Sequence, residues 1–140
     1  MENERRGLQA ALARLAAQGA DAARIADTAV ATWLRIDAAL SPIVGQGGVA
    51  TLYQRSLYLK RLDHPWLMAA YEAAIPGNFD ALHTALSRQT SATAAAANAE
   101  LLQTLHELLT SLIGASLTER LLQSVWDHLS SGDAVRDNTP

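Results

Sequence analysis

The stretch ATAAAANAELLQTLHELLTSLI, residues Ala92 to Ile113, decides the fold. Leu101, Leu105, Leu108 and Leu112 recur at intervals of four, three and four residues, so they share one side of an α-helix. Leu102, Leu109 and Ile113 widen that stripe into a broad apolar face. Ahead of it, the small side chains between Ala92 and Asn98 let another helix approach closely. A helix of this kind buries its leucines against two neighbours, each leucine contributing about 1.5–3 kcal/mol of transfer free energy, and so predicts a bundle built around it. An intramolecular core is the simplest use of the face. The other use is a homodimer formed partly through helix packing. Charges are too few to supply the flanking pattern that selects a coiled-coil partner.

Working outward, helix punctuation divides the rest of the chain. A first helix spans Asn3 to Gln18, with Leu8, Leu12 and Leu15 on one stripe, and Gly19 ends it. Asp21 caps a second, which carries Ile25, Val30, Trp33, Leu34, Ile36 and Leu40. Ser41-Pro42 opens a short further turn, and Gly45-Gln46-Gly47-Gly48 breaks it. A third long helix runs from Val49 to Leu62, until Asp63-His64-Pro65 stops it. Helices over Trp66–Ala74 and Phe79–Gln89 follow, the second capped by Asn78; whether a break falls at Thr90-Ser91 stays open. Ser116-Leu117-Thr118-Glu119 fits a capping box that opens a last helix ending near Leu129. From Ser130 the chain is polar and reads as a flexible tail. No fixed-period repeat and no two-residue alternation occurs. The expectation is an all-α protein: a compact bundle of about six helices with a central leucine-rich helix, one domain over residues 1–129 and a tail over 130–140.

Composition limits the functions open to such a bundle. Apolar residues make up 49% of the 140 and charged residues 18%, the balance of a globular chain. The net charge is −3 and no basic tract exists, so nucleic acid is not an expected partner. Cysteine is absent, which excludes disulfides, thiolate metal sites and cysteine nucleophiles. The charged start MENERRGLQ is no signal peptide, and no apolar run is long enough to span a membrane. A cytoplasmic, bacterial-type protein is the expectation.

Within the central stretch, His106-Glu107-Leu108-Leu109-Thr110-Ser111-Leu112 resembles the phosphoacceptor H box of sensor histidine kinases, His-Glu-Leu-Arg-Thr-Pro-Leu, in five of seven residues. The resemblance implies that His106 is a phosphoryl acceptor, that Glu107 orients or deprotonates its imidazole, and that Thr110 helps position water or a receiver domain's aspartyl phosphate. Such chemistry needs an exposed, neutral imidazole nitrogen. Leu109 and Ser111 depart from the family's arginine and proline, and no nucleotide-binding region follows. On a helical wheel His106 sits just outside the apolar arc, where an ordinary boundary histidine would also sit.

The other candidates are fewer. Tyr53, Arg55, Tyr58, Lys60 and Arg61 interleave aromatic rings with positive charge, an anion or acidic-partner patch in outline. Tyr53 and Lys60 share one helix face; Arg55 and Tyr58 share another. His83 could be a core histidine or the proximal ligand of a haem-binding helical pocket, His64 belongs to a helix-start turn, and His128 suits a helix C-terminus. The glutamate–histidine pairs of a di-iron bundle are missing, as are the lysine of a phosphate-binding loop and the glycine-flanked serine of a hydrolase. No metal and no cofactor is therefore expected. The reading is a non-catalytic interaction or sensory-regulatory module of a signalling system, bound to a protein partner or to itself. Phosphotransfer through His106 is the alternative, and a ligand- or haem-binding domain the third reading.

Overall fold

A computed structural model describes residues 21–138, with side chains as far as Asp127. The segment expected as a first helix over Asn3 to Gln18 lies outside the described residues. The described chain is an all-α bundle: α1 (Ala22–Lys60), a 3₁₀ turn (Pro65–Leu67), α2 (Met68–Glu72), α3 (Asp80–Ser87), α4 (Ser91–Ile113) and α5 (Ala115–Asn138). The last helix continues past Leu129, where the sequence reading ends it and begins a tail. No helix among the described residues is long and apolar enough to cross a membrane.

Among the described residues there are five α-helices, and two that the sequence reading separates are joined between Ser41 and Gly48. Ser41 does not cap a new helix; its hydroxyl donates to Asp37 Oδ1 at 2.9 Å from inside α1. Pro42 is likewise interior. Only Gly45 leaves helical torsions, at φ 80° and ψ 161°, so the chain bends at a single residue instead of passing through a loop. The bend is sharp. Trp33 and Tyr53 are 20 positions apart, which a straight helix would stretch to about 30 Å, yet their ring centroids lie 5.0 Å from each other. Limb 46–60 therefore comes back toward limb 22–44. Phe79, at the entrance to α3, completes the cluster, 5.9 Å from Trp33 and 4.8 Å from Tyr53.

Local chemistry fixes the other ends. Asp21 Oδ1 accepts the Arg24 backbone N–H at 2.9 Å and caps α1 as expected. Asn78, expected as the next cap, lies one residue ahead of the actual N-cap, Phe79, and its Oδ1 accepts the Asp80 N–H at 2.9 Å in an Asx turn. Before it, Ile75-Pro76-Gly77-Asn78 forms a turn closed by Asn78 N–H to Ile75 O at 3.0 Å, with Gly77 at φ 77°. Proline second and a left-handed glycine third is the type II pattern. The open question at Thr90 is answered by a break, because its hydroxyl accepts the Thr93 N–H at 3.1 Å and starts α4. At the far end Gly114, at φ 90°, stops α4, and α5 begins at once with Ala115, so Ser116 lies inside the first turn rather than at the cap.

The leucine-rich helix α4 packs chiefly against α1 and then α5, but the centre expected of it belongs to α1, which meets every other element. Its buried side is turned relative to the expected stripe. Ala94, Ala97, Leu101, Leu102, Leu105 and Leu109 are inside, whereas Leu108 is only half-buried and Leu112 is 62% exposed. Asn98 is completely buried on the same side, and neither atom of its amide meets a hydrogen-bond partner.

Two substitutions test this frame. The torsions at Gly45 belong to a region that essentially only glycine occupies, at a cost of about 1–3 kcal/mol for other residues. Gly45→Ala should lower unfolding stability by that amount, while Gly47→Ala, helical and with nothing within 4 Å of an added Cβ, should be neutral or slightly stabilising; paired denaturant titrations check the contrast. Asn98→Ala removes an amide that gains no hydrogen bond on burial, so stability should hold or rise. A loss above about 2 kcal/mol would instead show that ordered water satisfies the amide.

Candidate interaction surface

Limb 46–60 presents two faces with opposite fates. Tyr53 and Lys60 point inward. Tyr53 is 2% exposed in the Trp33–Phe79 cluster, so the expected patch loses this residue to the core. Lys60 follows the same face to the helix end, where its Nζ lies 3.9 Å from Asp63 Oδ2 and 3.9 Å from Glu100 Oε1. His64 joins them, its Nε2 3.3 Å from Glu100 Oε2. As expected of a helix-start turn, His64 is also the N-cap residue of the 3₁₀ turn, its carbonyl accepting the Leu67 N–H at 2.9 Å.

The outer face keeps Arg55, Tyr58 and Arg61 together. Arg61 stacks its guanidinium 3.7 Å from the Tyr58 ring centroid while Nη1 donates to the Tyr58 carbonyl at 2.6 Å. Arg55 lies 6.0 Å from the same centroid on a contact that contributes about 0.5–1 kcal/mol at an exposed site. Tyr71, from α2, sits 5.7 Å from Tyr58. Together Thr51, Gln54, Arg55, Tyr58 and Tyr71 line a hollow of about 280 Å³. Tyr71 was missed because no spacing along the chain links it to Tyr58; only the turn after Lys60 brings α2 back to this face.

Beside that hollow lies a larger, open groove of about 520 Å³ between limb 46–60 and the C-terminal end of α4. Gly47, Gly48, Thr51, Leu52 and Arg55 form one wall; Leu108, Ser111 and Leu112 form the other. Thr51 and Arg55 border both depressions. The groove exists because two consecutive glycines supply no side chain to cover the last leucines of α4. The sequence pattern assigns those leucines to the core and those glycines to a helix break. The signal was the coincidence of an apolar stripe with a side-chain-free opposite wall, which needs the packing of two helices to be seen.

The remaining candidates fall elsewhere. His106 is 3% exposed, inside the buried arc and not just outside it, because the buried side of α4 is turned from the expected stripe toward it. Glu107 is exposed and Thr110 half-buried, so the three H-box positions do not converge on a surface site. An imidazole in the core cannot meet a receiver's aspartyl phosphate unless α4 moves. His83 Nε2 lies 2.7 Å from Asp27 Oδ1, tying α3 to α1, so the nitrogen a haem iron would use is already engaged. Ser87 Oγ lies 3.5 Å from His83 Nδ1, which sets serine, histidine and aspartate in a row. The hydroxyl proton is donated to the His83 carbonyl at 2.7 Å, however, so the row is a clamp and not an activated nucleophile. The side chain of His128 lies outside the described residues. Among the described residues no group of three or more histidines and carboxylates is placed to hold a metal ion.

No family model, no curated protein and no solved structure matches the chain. The surface itself is the guide to function.

Burial pushes the Tyr53 phenol well above its ordinary value. A proton held more tightly in the folded state contributes stability that is fully present below the unfolded value, about pH 10, and is lost as pH rises beyond it. In a spectrophotometric titration one of the three tyrosines should stay silent until the fold opens, and Tyr53→Phe should remove part of the alkaline loss of stability. Three tyrosines ionising together below the unfolding transition would contradict the burial.

Proposed function

We propose that the chain is a non-catalytic helical interaction module, of the sensory-regulatory kind, that receives a partner's apolar surface in the groove between limb 46–60 and the end of α4. One observation carries this reading: Leu112 stands 62% exposed beside a groove of about 520 Å³ whose opposite wall begins with two glycines. Burying an exposed leucine stabilises a complex by about 1.5–3 kcal/mol, so a small number of such contacts suffices for a reversible association. Binding rather than chemistry is favoured because the two nucleophile candidates are otherwise occupied: His106 is in the core, and the Ser87 proton is bound to a carbonyl. A cytoplasmic signalling setting fits this reading, with a second copy of the chain as the other class of occupant.

An environment-sensitive naphthalene sulfonate dye tests the groove without knowledge of the partner. The folded chain should enhance its fluorescence, and Leu112→Glu or Gly47→Leu should abolish most of that enhancement. Leu112→Glu should leave stability within about 0.5 kcal/mol, because its side chain contributes little to the core. A parent protein that leaves the dye dark, or variants that bind it equally, would remove the groove as a docking surface.

A further inference from the structure

We infer that the occupant of the groove is an amphipathic helix of a separate partner protein, carrying an apolar stripe flanked on one side by carboxylates. The inference rests on the reading of the groove as a docking surface and adds the chemistry of what docks.

Charge supplies the first reason. The basic groups at the inner end of limb 46–60 already have acids beside them: Lys60 faces Asp63 and Glu100, and His64 faces Glu100. The outer pair differs. Among the described residues neither Arg55 nor Arg61 has a carboxylate within ion-pair distance, although the chain carries more acids than bases. Arg61 is held against Tyr58 by stacking and by its bond to the Tyr58 carbonyl. Arg55 borders the apolar groove on one side and the Tyr58–Tyr71 hollow on the other. A ligand seated on Leu52, Leu108 and Leu112 thus meets a guanidinium along one flank only. A guanidinium fork matches a carboxylate geometrically, and an unpaired one at the edge of an apolar site selects an acidic neighbour.

Shape supplies the second. From Gly47 to Arg55 the groove wall is about two turns long, roughly 12 Å, the length over which a helix offers apolar anchors one turn apart. Gly47 has nothing within 4 Å of where a Cβ would stand, which leaves room for a second backbone. The chain's own segment 3–18 is a poor match in charge. It carries Arg5, Arg6 and Arg14 against Glu4, a net charge of the same sign as Arg55. The occupant is therefore assigned to another protein.

The test uses the full chain and two fluorescein-labelled synthetic helices of roughly 18 residues, identical in their leucine stripe and differing only in flanking glutamates or lysines. Anisotropy titrations at low salt should show the glutamate peptide binding about tenfold or more tightly than the lysine peptide. Arg55→Glu should reverse the preference, Arg55→Gln should erase it, and Leu112→Glu should weaken both peptides. Melting curves confirm that each variant is folded. Equal binding of both peptides, a preference for lysine, or no binding of either overturns the acidic-helix assignment, and the dye experiment then shows whether the groove reading stands without it. Sedimentation that reveals a dimer dissociated by Leu112→Glu and untouched by the glutamate peptide also overturns it, by giving the groove to a second copy.

Discussion

The contact on which this structure depends is the meeting of Trp33 with Tyr53, ring against ring at 5.0 Å across a bend made by one glycine. Without that bend the two limbs of α1 would be a rod with an apolar side too long for one partner helix to cover. With it, the same residues close on each other, and Phe79 seals the corner from the start of α3. Three aromatic rings then do for the short helices what α4 does for the long ones. They give α3 a fixed place against α1, which the His83–Asp27 contact secures on the outer side.

How much of this is legible in the sequence depends on whether the signal is local. The class of fold is readable because leucine spacing from Leu101 to Leu112, the cap at Asp21 and the turn at Asn78 need only a few neighbouring residues to act. Helix joins are less readable. Ser41-Pro42 has the chemistry of a helix start, and only the continuation of α1 around it shows that the hydroxyl is used by Asp37 instead. Site residues are the least readable. Helical geometry correctly parts Tyr53 and Lys60 from Arg55 and Tyr58, but it cannot tell which face turns inward. His106 illustrates the same limit. Its position beside the stripe is set by sequence, whereas its burial is set by which side of α4 turns toward α1 and α5.

The H-box resemblance is instructive in this light. Two of its five matching residues, Leu108 and Leu112, are leucines that the amphipathic pattern supplies anyway, and the residue that would carry the chemistry is 3% exposed. The surface that stands out in three dimensions is made from residues with little motif value: glycines, a threonine, an arginine and leucines at the frayed end of a stripe. Recognition surfaces on small helical domains are often of this sort. They arise where one helix stops covering another, so they are written in the difference between two packing faces and not in either face alone.

The neighbouring glycines at 47 and 48 answer to different constraints. A methyl group at Gly48 would stand 3.0 Å from Val44 Cβ, so that position is held by the architecture of the bend itself. At Gly47 the fold imposes no such limit. Side-chain size there can vary without disturbing the core, and each added carbon would narrow the mouth of the groove. One position thus offers descendants of this chain a way to reshape the groove while inheriting the same scaffold. Its immediate neighbour offers no such freedom.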